Sequence, residues 1–136
     1  MRASTADSFA PKVLSIIRII VGFMFFQHGF QKIFGFFGGM GGTGRTASFP
    51  SEAWFGGMLE LVGGVLILFG LFTPIVAFFL SGEMAVAYFT VHFPRGFWTV
   101  KNGGEPAVLY CFLFLYLVFA GAGPWSLDSL WKKKSA

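Results

Sequence analysis

Four apolar runs, roughly residues 13–37, 54–72, 74–93 and 107–122, constrain what this chain can fold into more than any other feature of its sequence. Crossing the hydrocarbon of a bilayer takes about 20 apolar residues in a helix, and four such helices with short connections use nearly all of the 136 residues. The composition agrees: 55% of the residues are hydrophobic and 12% charged, more apolar than a soluble domain of this size tolerates. The sequence therefore predicts an all-α integral membrane four-helix bundle, one domain over residues 1–136. No soluble domain is expected beside it.

The boundaries of the runs carry ordinary stop and start signals. A glycine-rich loop (Gly38, Gly39, Gly41, Gly42, Gly44) follows the first run, and Thr73-Pro74 makes a tight turn with proline at a good helix-start position. Pro94, Arg95 and Gly96 stop the third run, and Gly121, Gly123 and Pro124 end the fourth, which is short for a full span and can begin inside the preceding loop. The glycine-rich loop lacks the Gly-Lys-Ser/Thr ending of a phosphate loop, so it signals flexibility more than nucleotide binding. The first run follows a polar segment, as a secretory leader would. It nevertheless continues into His28, Gly29 and Lys32 without a small-x-small site and is read as a retained helix.

The formal net charge of +4 does not point to nucleic acid, because the cations sit in the tails and connections. In a membrane chain that distribution reports topology. Arg2, Lys12, Lys132, Lys133 and Lys134 lie in the tails, against Arg45, Arg95 and Lys101 in the two loops on the other side. The excess puts both termini in the cytoplasm, with Trp125, Trp131 and the tri-lysine as an anchor on the inner face. Cys111 is the only cysteine, which excludes an internal disulfide and dithiol chemistry within one chain.

Ionisable residues inside apolar runs are the informative ones, since each costs several kcal/mol in the bilayer. They are Arg18, His28, Lys32, Glu60, Glu83 and His92, with Gln27 and Gln31 beside them; Lys101, Asn102 and Glu105 join them from the loop between helices 3 and 4. At about 1.5 Å per residue, all but Arg18 fall in the outer half, with Glu83 near the midplane. Arg18, Phe25 and Lys32 share a stripe on helix 1, with His28 close by, at about 100° per residue. Arg18 is read as structural or anchoring, its guanidinium snorkelling to headgroups. On helix 2, Gly56, Glu60 and Gly64 recur every four residues with Gly57 and Gly63 alongside, so a neighbouring helix can come close enough to pair with Glu60. Lys32 is the candidate partner for an inter-helix ion pair. Glu83 and His92, nine residues apart, point to opposite sides of helix 3 unless Pro94 distorts its end. His28 and His92 can equally be interfacial hydrogen-bonding residues, whereas a midplane carboxylate such as Glu83 must be paired or neutral.

These residues carry a resemblance to the DoxX family of small four-helix bacterial membrane proteins. The matching pieces are Arg18 with Gly22 and His28-Gly29-x-x-Lys32, then Glu60-x-x-Gly63-Gly64 with Gly70 and Thr73, then Asn102-Gly103-Gly104-Glu105 before Tyr110. The ending Gly121-x-Gly123-Pro124-Trp125-Ser126-Leu127-Asp128 is similar too. The resemblance covers nearly the whole chain and implies a multi-pass protein of the bacterial inner membrane. It also implies a link to redox chemistry, through similarity to the small subunit of a thiosulfate-quinone oxidoreductase, though most members have no established reaction.

The leading expectation is a membrane subunit of a redox system, holding a quinone-like or other small polar-headed ligand in an outer-half pocket. Its candidate ligand-binding residues are His28, Lys32, Glu60, Glu83, His92, Lys101 and Glu105: the cations donate to the headgroup, and the carboxyls orient them or accept protons. Phe25, Phe26, Phe89 and Trp98 would wall the ring. Quinone is the one cofactor considered, and no metal is expected; the two histidines lack haem spacing and the carboxylates no zinc pattern. The expected partners are the lipid bilayer, peripheral redox enzymes and a second copy of the chain, with no nucleic acid. Two other classes stay open. One is a membrane scaffold for peripheral redox or stress-response enzymes; the other is a small proton-coupled transporter or channel, which with four spans would need a dimer.

Overall fold

A computed structural model describes residues 5–135 as six helices and three short 3-10 or π turns, with no strand among them. Arg2, counted above among the tail cations, lies outside the described residues. The helices are α1 (Thr5–Phe34), α2 (Glu52–Phe69), α3 (Thr73–Ala87), α4 (Thr99–Asn102), α5 (Glu105–Ala120) and α6 (Leu127–Lys134). Past Ala87 the third helix continues through a π-turn, Tyr88–His92, and a 3-10 turn, Phe93–Arg95. α1, α2 and the segment Thr73–Arg95 are each long and apolar enough to cross a membrane. α5 is shorter, at 16 residues or about 24 Å.

Local chemistry sets the boundaries, and several differ from those the hydropathy predicts. α1 starts at Thr5 rather than near residue 13, with Asp7 in its first turn, where a carboxylate complements the helix dipole. It ends at Phe34 rather than residue 37 because Gly35 turns left-handed (φ +75°) and donates to Gln31 O. α2 is capped by Ser51, whose hydroxyl accepts from Trp54 N, and stops at Phe69, not residue 72. There Gly70 (φ +67°) folds back on Leu66 and Ile67 in the manner of a Schellman cap. α5 begins within the predicted loop at Glu105, with Pro106 in its first turn. α6 was not anticipated; Ser126 caps it by accepting from Ser129 N, and its last turn is Lys132, Lys133 and Lys134.

The four long helices run up and down, so both tails emerge at one end of the bundle, here the tail end, and the glycine-rich loop and α4 lie at the other, the loop end. α1 packs along α2 and α3 along α5, and α2 joins the pairs through α3. The first pairing is unusually close. A Cβ on Gly64 would lie 2.6 Å from Phe26 N, one on Gly57 2.9 Å from Lys32 Cβ, and Gly22 and Gly29 meet the backbone of Leu68 and Leu61 just as tightly. These glycines repeat at seven residues on each helix and let the two backbones touch. The core is Val21, Phe25, Ile67, Ala77, Leu80, Met84, Ala107, Phe114 and Leu117. Large apolar side chains such as Phe23, Phe78, Phe79, Phe112 and Phe119 face outward, as lipid-facing residues do.

Candidate functional site

The close packing of α1 on α2 builds the polar centre of the bundle. Because Gly57 carries no side chain, Lys32 can lie against α2, and its ammonium donates to Glu60 Oε1 at 2.7 Å. Glu60 is buried, with 4% of its side chain exposed, whereas Lys32 keeps 29%. The third helix adds Glu83. Its carboxyl sits in the space left by Gly56, where a Cβ would lie 3.0 Å from Oε1. Glu60 is within electrostatic reach of Lys32 and His28 on α1, Glu83 on α3 and Tyr110 on α5. All four long helices thus contribute a polar group to one region of the core.

One ammonium faces two carboxyl groups here, and they are unevenly satisfied. Glu60 Oε2 and Glu83 Oε2 are both buried and have no hydrogen-bond partner among the described residues. Buried polar atoms are nearly always paired, so two orphans within electrostatic reach of one another mark a place where a proton, a water or a ligand donor belongs. Chemically the centre offers acceptors first. Lys32 alone supplies a strong donor, and it is engaged with Glu60 while remaining partly accessible. His28 is exposed, its ring edge-on to Phe25 and Tyr110 at 6.5 and 6.3 Å.

The other predicted residues fall outside this centre. His92 belongs to a separate knot at the loop end, with Nδ1 3.1 Å from Asn102 O and its ring stacked on Tyr88. The hub of that knot is Asn102, fully buried, which donates to Gly96 O and accepts from Gly104 N at 2.8 and 2.7 Å. Those bonds hold the α4 turn in shape, a task of fold rather than ligand. Lys101 and Glu105 are exposed and form no ion pair among the described residues. Of the residues placed around the ring, Phe25 is buried against Tyr110 and Phe114, and Phe26 packs on Gly64. Phe89 and Trp98 face outward.

Arg18 does not snorkel. Its guanidinium is buried at 1% exposure and donates to Ala122 O (2.8 Å), Ile67 O (2.7 Å), Leu68 O (2.6 Å) and Trp125 O. Ile67 and Leu68 are among the last carbonyls of α2, which lack partners within the helix. Arg18 therefore caps α2 and ties the end of α5 to it. Ser15, which the sequence reading passed over, and Asp128, which it noted only within the ending motif, complete this lock. Ser15 Oγ accepts from Trp125 N, and the Asp128 carboxylate accepts from Phe72 N and Thr73 N, capping α3 from a distant part of the chain. Tyr110, part of the polar centre, entered the sequence reading only as the end of the Asn102-Gly103-Gly104-Glu105 motif and was not counted among the candidate site residues.

Comparison with known proteins agrees with this architecture. The family profile described as DoxX matches residues 13–93, which takes in Lys32, Glu60 and Glu83. An uncharacterized protein of Haemophilus influenzae is 43% identical over 135 residues, covering 94% of this chain and 97% of the relative. A Bacillus subtilis protein described as "Putative oxidoreductase CatD" is 34% identical over 117 residues, 83% of this chain and 82% of its own. An uncharacterized membrane protein of Mycobacterium tuberculosis is 27% identical over 140 residues, 92% of this chain and 85% of its own. No solved structure matches. With three helices of spanning length, the chain is a multi-pass membrane protein.

Proposed function

The chain belongs to the DoxX family, and on that premise we propose that it is the membrane subunit of a redox system, whose Lys32–Glu60–Glu83 centre takes the oxygen-bearing head of a quinone-like ligand. The observation that carries this reading is the pair of buried, unpartnered carboxyl oxygens beside a partly accessible ammonium. Ionisable groups so placed are costly, and within a membrane they mark ligand or proton sites by default. The description of the Bacillus subtilis relative as an oxidoreductase supports the redox assignment. A quinone, when bound, would carry electrons and protons between partner proteins.

The residues of the chain divide that work. Lys32 donates to a headgroup oxygen while Glu60 Oε1 holds the ammonium in place. Glu60 Oε2 and Glu83 Oε2 accept a ligand hydroxyl or hold a proton, and the exposed His28 passes protons to and from them. His92, Lys101 and Glu105 lie outside this reading. Both tails are placed in the cytoplasm, since Lys12, Lys132, Lys133 and Lys134 outnumber Arg45, Arg95 and Lys101 at the loop end. Peripheral redox enzymes would then dock on the tail face.

The test is extraction and titration. Protein purified in mild detergent is extracted and assayed for quinone, then titrated with a short-chain quinone by tryptophan quenching. Wild type should bind, and Lys32→Met should bind at least about tenfold more weakly while still purifying as a folded, monodisperse protein. A wild-type protein that neither carries nor binds quinone ends the proposal.

A further inference from the structure

A groove lies far from the polar centre, at the tail end. It encloses about 580 Å3 between the start of α3, the end of α5 and α6, within the usual size of small-molecule sites. Its floor and walls are apolar: Phe72, Pro74 and Ile75 on one side, Ala122 below, Trp131 on the other. Its rim is cationic, formed by Lys132 and continued by the exposed Lys133 and Lys134. The one carboxylate on the lining, Asp128, is already engaged by the Phe72 and Thr73 amides. Among the described residues no acidic side chain forms an ion pair with the three lysines.

From this combination we infer that the groove is a binding site for one anionic phospholipid of the surrounding bilayer, its phosphate at Lys132 and the first part of an acyl chain along Phe72 and Ile75. Three features select that occupant. The groove opens where α3 begins and α5 ends, and the ends of spanning helices meet the headgroup region. Phe72, Ile75 and Trp131 are about half or more exposed, at 48, 62 and 57%, so the apolar wall is uncovered by the chain itself, and a free phosphate or nucleotide would leave it so. Trp131, with its ring 5.8 Å from that of Phe72, has the amphipathic character of interfacial aromatics. Lysines near a membrane surface attract anionic lipid by about 1 kcal/mol each, a factor of roughly five; α6 concentrates three of them on one turn beside the groove. This inference is independent of the redox reading, since it shares no residue with the polar centre.

The experiment is native mass spectrometry of the full chain from mild detergent after exchange with equal amounts of phosphatidylglycerol and phosphatidylcholine. Wild type should retain phosphatidylglycerol in one-to-one stoichiometry with at least about tenfold preference. Lys132→Gln should lower the preference about fivefold, and Ile75→Trp, which fills the groove from an exposed position, should lower it as much without touching a charge. Both altered positions are on the surface, and an unchanged melting temperature in detergent checks that the bundle is intact. No preference in the wild type overturns the inference. So does a preference that falls with Lys132→Gln but survives Ile75→Trp, because that pattern belongs to diffuse attraction by the basic helix.

Discussion

The bundle holds two buried charged centres, one in each half, and they are satisfied in opposite ways. At the tail end, Arg18 uses four N–H groups on four carbonyls drawn from α2 and from the segment after α5. Its neighbours Ser15 and Asp128 are engaged as well. In the loop half, Lys32 and Glu60 make one ion pair, and two carboxyl oxygens beside it have no partner among the described residues. A closed network serves the fold, because every donor placed in it removes a desolvation cost. An open one leaves that cost in place, which natural proteins tolerate where function needs it. The contrast assigns stability to the Arg18 centre and underlies the proposal of ligand chemistry at the Lys32 centre.

The largest effect should come from breaking the closed centre. Arg18→Met keeps most of the apolar stem of the side chain but removes a donor from the carbonyls of Ile67, Leu68, Ala122 and Trp125. A loss of about 3–5 kcal/mol is expected, the range for removing one partner of a buried charged network. Arg18→Lys should recover only part of it, since an ammonium has three donors and no planar fork. Thermal unfolding in detergent and yield of folded protein measure both. If Arg18→Met melts like the wild type, the tail-end network is not what ties α5 to α2.

A smaller effect is expected where the two centres share a support, the contact of α1 with α2. Gly64→Leu places atoms within 2.6 Å of the Phe26 backbone, so the helices must part. Overpacking of this kind costs about 1–3 kcal/mol. The same separation draws Lys32 away from Glu60, so quinone titration should weaken along with the melting temperature. A variant that loses stability but binds as before would show that the polar centre does not depend on this close approach.

What the sequence made legible follows the range of the interactions involved. The long helices, the glycine stripe and its proximity to Glu60 are local patterns with a fixed period, and the structure realises them in α1, α2, α3 and α5. The destination of Arg18 was not legible, because two of its carbonyl partners, on Ala122 and Trp125, lie more than a hundred residues along the chain. α6 was missed for a different reason: at eight residues it is too short and polar to show in a search for apolar runs, and its signal was only the Ser126 cap with a basic last turn. Grouping His92, Lys101 and Glu105 with Lys32 relied on shared depth alone. Depth does not give rotation about a helix axis, and the π-turn at Tyr88–His92 breaks the regular count by which Glu83 and His92 were set on opposite sides of helix 3.

The smallest effect on stability, and the sharpest separation of the two centres, should come from Glu83→Gln. The Glu83 carboxyl makes no hydrogen bond to any described residue, so an amide of the same shape forfeits none. It also keeps an oxygen in the space that Gly56 leaves. Stability should therefore change by less than about 1 kcal/mol, well below the effect at Arg18. Function should not be spared, because the amide can neither carry a negative charge nor exchange a proton between Glu60 and the ligand. Quinone affinity, or turnover once a partner enzyme is identified, should fall about tenfold or more. If Glu83→Gln instead destabilises the bundle as much as Arg18→Met, the loop-half carboxyls are structural, and the division of labour between the two centres is wrong.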